Sequence, residues 1–251
     1  MKKRYKGTYA FKTDIGRVRV SNEDQASVML NHDGEIFLIV CDGMGGQNKG
    51  DYASKMAIDS LLEAFSNKPS HLPMFLKKAW LSRAIKRANS IIFDEADKNP
   101  VYKDMGTTLV SVLISGDRMI VANVGDSRAY ALQNDKLIRL SEDQTYVDYL
   151  YRTGKISESQ TLSHPERHVL MNALGIYPSA SFDIKIMPYA GESVLLCSDG
   201  LYNNVPESEI RAVISTDERA DQKAMSLINE ANANGGSDNI GVSYWETIQD
   251  D

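Results

Sequence analysis

Two kinds of apolar spacing alternate along the chain. Continuous or every-second-residue apolar runs predict β-strands over residues 5–12, 25–30, 35–41, 107–114, 118–124, 128–132, 181–187, 193–197 and 240–245. Apolar residues three or four apart predict helices over residues 50–65, 73–96, 143–153, 207–215 and 219–233. Between the third and fourth of these helices, residues 155–174 are polar and lack a strong period, which indicates an inserted flap.

The order of these elements predicts an α+β fold. Long helices follow groups of strands and do not alternate with them one for one, which favours two antiparallel sheets packed together with helices outside. We therefore expect a four-layer α/β/β/α sandwich with a small helical flap at residues 143–175. The turn at residues 31–34 predicts a hairpin, and residues 107–132 are interpreted as an antiparallel meander. No linker or repeat divides the chain, so residues 1–251 are expected to form one domain.

Composition and charge narrow the function. The chain has 251 residues, 42% of them apolar and 25% charged, which is typical of a globular protein. Its net charge of −6 argues against nucleic acid as the main partner. There is no apolar run of about 20 residues and no apolar segment behind the basic N-terminus, so we expect neither membrane insertion nor a signal peptide, but a cytoplasmic protein. The only two cysteines, Cys41 and Cys197, end apolar strands and are expected to be buried thiols.

Acidic residues recur at the ends of predicted strands or in tight turns, beside glycine or other small residues. These residues are Asp42, Asp126, Asp199 and Asp238, with a fifth acidic site at Glu23 and Asp24. Carboxylates gathered in one pocket repel one another, and burial disfavours their charged forms further. A cation among them would offset that cost, and hard oxygen ligands favour Mg²⁺, Mn²⁺ or Ca²⁺. The pattern predicts a metal centre built from carboxylates.

Several of these segments, taken in order, match one family. They are residues 14–24, 42–46, 105–108, 123–128, 198–201 and 238–240, and residues 164–175 look like the flap of the same family. With them the chain resembles the metal-dependent serine/threonine protein phosphatases, the PPM or type 2C class, in their compact bacterial form. Each motif alone is weak, but together and in this order they are specific, and the resemblance spans nearly the whole chain.

The resemblance implies a role for each matching position. Asp42 would bridge two ions, Mn²⁺ or Mg²⁺, and the carbonyl of Gly43 would bind one of them. Asp199 and Asp238 would hold the second ion. Two such ions would ready a bridging water for in-line attack on phosphorus, so no phosphoenzyme is needed.

Four more positions take roles from the same resemblance. Glu23 or Asp24 would complete the shell of the second ion, directly or through water. Asp126 would belong to a weaker third metal site, although an Asp-Ser-Arg turn with a local salt bridge is an equal alternative. Arg19 would grip the substrate phosphate through its fork of N–H groups. The implied partners are phosphorylated proteins and a cognate serine/threonine kinase with its substrates, and the implied enzyme is a monomer.

Other phosphatase chemistries fit poorly. A cysteine phosphatase needs an arginine six residues after its nucleophile, where this chain has Gln47 and Asn203. The chain also departs from the family pattern. Many relatives have histidine where this chain has Gln47 and Gln144, and eukaryotic members have a histidine, the proposed general acid, where this chain has Met44. The identity of the acid therefore stays open.

Two other functions remain as alternatives. The first is a pseudophosphatase that binds phosphoproteins or a kinase, which the loss of an aspartate would indicate; none is lost here. The second is an enzyme for small phosphorylated metabolites, or one that regulates a sigma-factor pathway by dephosphorylating an antagonist. Arg128, His164 and His168 are interpreted as structural or surface residues, and residues 106–108 as setting the start of a strand.

Overall fold

Two antiparallel sheets form the centre of the protein. We describe the chain from a computed structural model that defines residues 4–45 and 49–248. One sheet contains, in spatial order, β1 (Gly7–Asp14), β11 (Ile240–Thr247), β10 (Ser193–Cys197), β7 (Arg128–Gln133) and β8 (Lys136–Arg139). The other contains β2 (Asp24–Leu30), β3 (Ile36–Met44), β5 (Leu109–Ser115), β6 (Arg118–Val124) and β9 (Asp183–Pro188), with the short β4 (Gly106–Thr107) paired to β3.

Helices pack on the outer faces of both sheets, and two further helices, the third and fourth in the chain, lie in the flap segment. They are α1 (Gly50–Ser66), α2 (Met74–Lys98), α3 (Tyr146–Arg152), α4 (Glu158–Ser163), α5 (Asp199–Tyr202), α6 (Glu207–Ile214) and α7 (Ala220–Ala233), with a 3₁₀ turn at Pro100–Tyr102. The first two helices pack on the sheet that contains β3, and α5 to α7 pack on the sheet that contains β10. Within the described ranges, none of the helices has the length and apolar character that a bilayer crossing requires.

Strand β3 shows why the sequence folds into four layers. Its side chains alternate between two cores, with Phe37, Ile39 and Cys41 facing the helices and Leu38 and Val40 facing the other sheet. Both faces of the strand are buried, so the segment has a continuous apolar run and not an alternating one. A third core lies between the other sheet and its helices. The predicted α/β/β/α sandwich with a small helical flap is confirmed, as are the buried thiols of both cysteines.

The predicted meander over residues 107–132 is wrong in its last strand. Strands β5 and β6 pair as expected, but β7 pairs with β10 and β8 in the opposite sheet. The chain changes sheets at Gly125, whose φ of +91° is a conformation that favours glycine. Strand β8 and the one-turn helix α5 were not predicted, because four-residue elements carry too little periodicity to be distinguished from turns.

Candidate active site

Five strand ends and turns deliver acidic side chains to the same end of the sandwich. Asp24 and Asp42 lie directly opposite each other in the β2–β3 ladder. Asp199 begins α5 immediately after β10, Asp238 lies just before β11, and Asp126 lies between β6 and β7. A cleft of about 950 Å³ opens above them.

Most of the predicted site residues line this cleft. They are Arg19, Glu23, Asp42, Gly43, Asp126, Asp199 and Asp238. Asp24 is the exception, because its side chain is fully buried and lies beneath the floor of the cleft, opposite Asp42. The structure thus brings together residues that are more than 200 positions apart in the chain.

Crowding and burial disfavour the charged form of these carboxylates. Burial first, and then the negative charge of neighbouring aspartates, raises the pKa of Asp24, Asp42, Asp126 and Asp199. Burial and the charge of Asp51 likewise raise the pKa of Glu23. A divalent cation among them would reverse this balance, because it stabilises the ionised carboxylates that it contacts.

Two carboxylate oxygens in the site have no hydrogen-bond partner although they are buried. They are Oδ1 of Asp24 and Oδ1 of Asp199. The second oxygen of each group is anchored: Asp24 Oδ2 accepts a hydrogen bond from Ser198 Oγ at 2.6 Å, and Asp199 Oδ2 accepts one from Asn203 Nδ2 at 3.1 Å. Buried polar atoms are rarely left unpaired. One fixed oxygen and one unpaired oxygen on each carboxylate fit a hard divalent cation.

Gly43 lies where two backbone segments approach closely. A Cβ atom at this position would lie 2.1 Å from the carbonyl oxygen of Gly50 and 2.7 Å from that of Glu23. The amide of Gly43 donates a hydrogen bond to the Glu23 carbonyl at 3.1 Å. Only glycine permits this contact, which brings Glu23 and the first residue of α1 up against the end of β3.

The backbone of Asp42 is fixed from the neighbouring strand. Its amide donates to Thr108 Oγ1 at 3.0 Å, and its carbonyl accepts from Thr107 Oγ1 at 2.9 Å and from the Thr108 amide at 2.8 Å. These threonines hold the end of β3 in place. Met44, which stands where eukaryotic relatives have histidine, lines the cleft, whereas Gln47 lies outside the described residues.

The two remaining charged site residues pair with each other. Arg19 donates from a terminal guanidinium nitrogen to Asp238 Oδ2 at 2.7 Å, with side chains 56% and 30% exposed. Across residues 4–45 and 49–248, no three His, Cys, Asp or Glu side chains are gathered into a ready-made metal-ligand group. A cation at Asp238 Oδ2 would compete with Arg19 for that oxygen, while Oδ1 accepts a hydrogen bond from the Asn239 amide at 2.8 Å.

Asn239 ties the β1–β2 loop to the start of β11. Its Oδ1 accepts from the Glu23 amide at 2.8 Å, and its Nδ2 donates to the carbonyls of Ile15 and Ser21, both at 2.9 Å. One side chain thus holds the β1–β2 loop beside Asp238. The sequence analysis gave Asn239 and Asn203 no role, although Asn239 directly follows Asp238 and Asn203 is one helical turn after Asp199.

A buried ion pair lies beside Asp126. Arg128 donates to Asp143 Oδ2 at 2.8 Å, and its guanidinium carbon lies 3.5 Å from the centroid of the Tyr202 ring. The Tyr202 hydroxyl donates to the carbonyl of Asp126 at 3.1 Å. Asp126 itself is buried at the edge of the cleft. Tyr202, which packs against the Arg128 guanidinium, therefore holds the backbone of this turn through the Asp126 carbonyl.

The flap meets the cleft near Gln144 and His168. Gln144, where many relatives have histidine, is buried, and its Oε1 accepts from the Gly125 amide at 3.1 Å while its Nε2 donates to Asp183 at 2.9 Å. His168 is exposed, as the sequence analysis expected, but it also lines the cleft. Gln144 therefore fixes the loop that carries Asp126.

Comparisons with known proteins agree with this geometry. The family model for protein phosphatase 2C matches residues 17–230. The serine/threonine phosphatase stp of Listeria innocua is 40% identical over 237 residues, which cover 94% of each chain. The structure of the S. agalactiae serine/threonine phosphatase superimposes with a TM-score of 0.90 at 30% identity, over 97% of this chain and all of the other.

One similar structure also contains metal. It is the catalytic domain of the serine/threonine protein phosphatase PstP in complex with two manganese ions, with a TM-score of 0.82 and 31% identity over 97% of this chain and 99% of that one.

Proposed function

This chain belongs to the protein phosphatase 2C family of metal-dependent serine/threonine phosphatases, and from that premise we propose that it hydrolyses phosphoserine and phosphothreonine esters of proteins at a centre of two Mn²⁺ or Mg²⁺ ions. The observation that carries the proposal is the pair of buried, unpaired oxygens on Asp24 and Asp199 within a group of crowded carboxylates. No acidic residue of the family pattern is missing, which favours an active enzyme over a pseudophosphatase.

The residues that would hold the two ions come from three strand ends. Asp42 would be shared by both ions, with the carbonyl of Gly43 on one of them. Asp199 and Asp238 would hold the other. When bound, the ions would activate water as the nucleophile and offset the negative charge of the phosphoryl oxygens. The hydrogen bond from Asn203 to the Asp199 carboxylate orients that ligand in advance, and the hydrogen bond from the Asp42 amide to Thr108 Oγ1 fixes the backbone that carries the Asp42 carboxylate.

The acidic residues around this pair have supporting roles in the proposal. Asp24 would complete the shell from beneath, because its unpaired oxygen is buried opposite Asp42. Glu23 would act at the rim, through water. Asp126 would hold a third ion at the side of the cleft that the flap covers.

Arg19 would bind the phosphate of the substrate. Its side chain is more than half exposed on the β1–β2 loop and lines the cleft, so it can leave Asp238 and turn to a phosphoryl group without unfolding the loop. An arginine fork donates two parallel hydrogen bonds to phosphate, which orients the ester as well as attracting it.

The proposed partners are phosphorylated proteins and the serine/threonine kinase that phosphorylates them. The enzyme is proposed to act as a monomer. The flap, residues 143–175, would select among substrates, because it contributes His168 and Leu170 to the cleft that holds the acidic group. Exchange of this segment for the flap of a relative should change the preference among phosphopeptides. An unchanged preference would show that selection lies elsewhere.

The proposed function is tested by release of phosphate from phosphothreonine peptides. We expect turnover with added Mn²⁺, loss of turnover with EDTA, and recovery when Mn²⁺ is restored. The Asp199→Asn variant should stay inactive at every Mn²⁺ concentration. Hydrolysis of p-nitrophenyl phosphate or sugar phosphates without hydrolysis of any phosphopeptide would instead identify a small-molecule phosphatase.

A further inference from the structure

Val20 is exposed at the edge of the catalytic cleft. Its side chain is 94% exposed, more than any other large apolar side chain whose exposure the structure describes. It follows Arg19 in the chain and lines the same cleft. Single exposed apolar residues are common on protein surfaces, so exposure alone implies no function, but this residue adjoins the proposed phosphate-binding arginine.

The loop that presents Val20 is held on both sides. The amide of Arg17 donates to the Gly236 carbonyl at 2.8 Å, and the Asn239 side chain binds the carbonyls of Ile15 and Ser21. Because the backbone is anchored before and after Val20, its side chain is presented from a fixed support and a ligand would not have to order the loop.

The flap contributes a second apolar side chain, Leu170, to the same cleft. This wall is anchored too. Leu170 forms a β-bridge with Thr145. Backbone hydrogen bonds flank this bridge: the Tyr146 amide donates to the Val169 carbonyl, and the Met171 amide donates to the Gln144 carbonyl, both at 2.8 Å. Two anchored apolar side chains thus adjoin a polar, carboxylate-lined floor.

We propose that Val20 and Leu170 provide the apolar contacts of a subsite for the side chains that flank the phosphorylated serine or threonine, so that the enzyme prefers substrates with apolar flanking residues. This inference rests on the proposed function. A phosphoryl group alone would fill a small part of a cleft of about 950 Å³, which leaves room for neighbouring residues of an extended peptide. Neither side chain has a charge or a hydrogen-bonding group, so the flanking residue that gains most from contact with them is apolar.

The test compares two phosphothreonine peptides that differ only in the flanking residues, leucine in one and serine in the other. With Mn²⁺ present, we expect the wild-type kcat/KM to favour the leucine peptide about tenfold, the discrimination typical of a modest apolar contact. The Val20→Ser and Leu170→Ser variants should each bring this ratio towards one. Val18→Ser is the matched control, since Val18 is on the same loop and 66% exposed but does not line the cleft.

Each result has one interpretation. A wild-type ratio near one, or a ratio that favours serine, would overturn the inference. So would a Val20→Ser variant that keeps the wild-type ratio, or a Val18→Ser variant that loses it to the same extent. If wild-type protein with Mn²⁺ releases phosphate from neither peptide, the proposed function itself fails. If both peptides are hydrolysed at equal rates, the apolar subsite is contradicted but the proposed phosphatase function is not.

Discussion

Arg19 and Asp238 neutralise each other across the cleft through a hydrogen bond of 2.7 Å. Arg19 is proposed to bind phosphate and Asp238 to bind a metal ion. While the two side chains are paired, each blocks the other from its proposed ligand. In the proposed enzyme, a cation that takes Oδ2 of Asp238 would release Arg19 towards the substrate. Metal binding and phosphate binding would then be coupled through a single ion pair.

Replacement of Arg19 should affect phosphate binding and metal binding differently. Arg19→Ala should lower kcat/KM for a phosphopeptide about 10- to 100-fold, the loss expected for a charge-assisted hydrogen bond of about 1.5–3 kcal/mol. Mn²⁺ affinity, measured by calorimetry, should stay equal or increase, because Asp238 no longer has a competing cation. If the variant fails to take up Mn²⁺, the role assigned to Arg19 is wrong.

Removal of a charged ligand should abolish activity. Asp42→Asn and Asp199→Asn should each reduce kcat by several orders of magnitude, since each takes a negative charge from an ion that the proposed chemistry requires. Steady-state phosphate release measures the effect. Asp94→Asn, which changes an exposed carboxylate on α2, is the control and should retain wild-type activity. Comparable activity in Asp199→Asn would rule out its place in the centre.

Asp24 offers a test on thermal stability. In EDTA, Asp24→Asn should melt at the same temperature as wild type or a few degrees higher, because it relieves repulsion in a buried acidic group; about 1 kcal/mol corresponds to about 2–4 °C in a protein of this size. Saturating Mn²⁺ should raise the melting temperature of wild type more than that of the variant. If Asp24→Asn lowers the melting temperature by the same amount with and without Mn²⁺, the role of Asp24 is purely structural.

A separate charged cluster lies buried away from the cleft. Glu35 binds Lys68 Nζ at 2.8 Å and Lys77 Nζ at 2.5 Å, and all three side chains are at most 3% exposed. Hydrogen bonds from the two lysines outweigh the cost of burial and lower the pKa of Glu35 to about 2.

Glu35 should therefore stabilise the fold in a defined pH range. A lowered carboxyl pKa contributes stability above the unfolded-state value near 4.5 and loses it as the pH falls through about 2. Glu35→Gln should cost about 3 kcal/mol at pH 7, since it leaves buried lysines without their counter-charge. The difference from wild type, measured by urea unfolding, should shrink as the pH falls from 4.5 to 2. Asp59→Asn, in the exposed pair with Lys55, should cost about 0.5 kcal/mol or less.

The sequence was sufficient for the longer elements and the acidic motifs, but not for the four-residue elements or for all of the strand pairing. The continuous apolar run of β3 predicts burial on both faces, and the Asp-Gly pairs mark the strand ends. In β7, by contrast, the alternation of Ala129 and Ala131 with Tyr130 suits either sheet, and only contacts with β10 decide between them. Sheet membership depends on long-range partners that local periodicity does not encode.

The sequence likewise identified some of the important side chains in the site and missed others. The carboxylates could be identified from the sequence because only a few residue types can act as ligands for a hard metal ion. The ion pair of Arg19 with Asp238 and the three hydrogen bonds of Asn239 could not, since each joins residues more than 200 positions apart. The wrongly placed β7 did not affect the site, because Asp126 lies before the strand begins.

The β2–β3 ladder makes the acidic centre dependent on a distant turn. The register that places Asp24 opposite Asp42 is set at the hairpin, where the Asn31 side chain accepts hydrogen bonds from the amides of Asp33 and Glu35 and backbone hydrogen bonds close the same turn. That turn is about 20 Å from Asp24, six strand steps away. A single-residue insertion or deletion there would shift the alignment by one position and rotate Asp24 to the opposite side of its strand. Inactivating lesions can therefore arise in a hairpin tip that never touches the substrate, in molecules whose acidic residues are all still present.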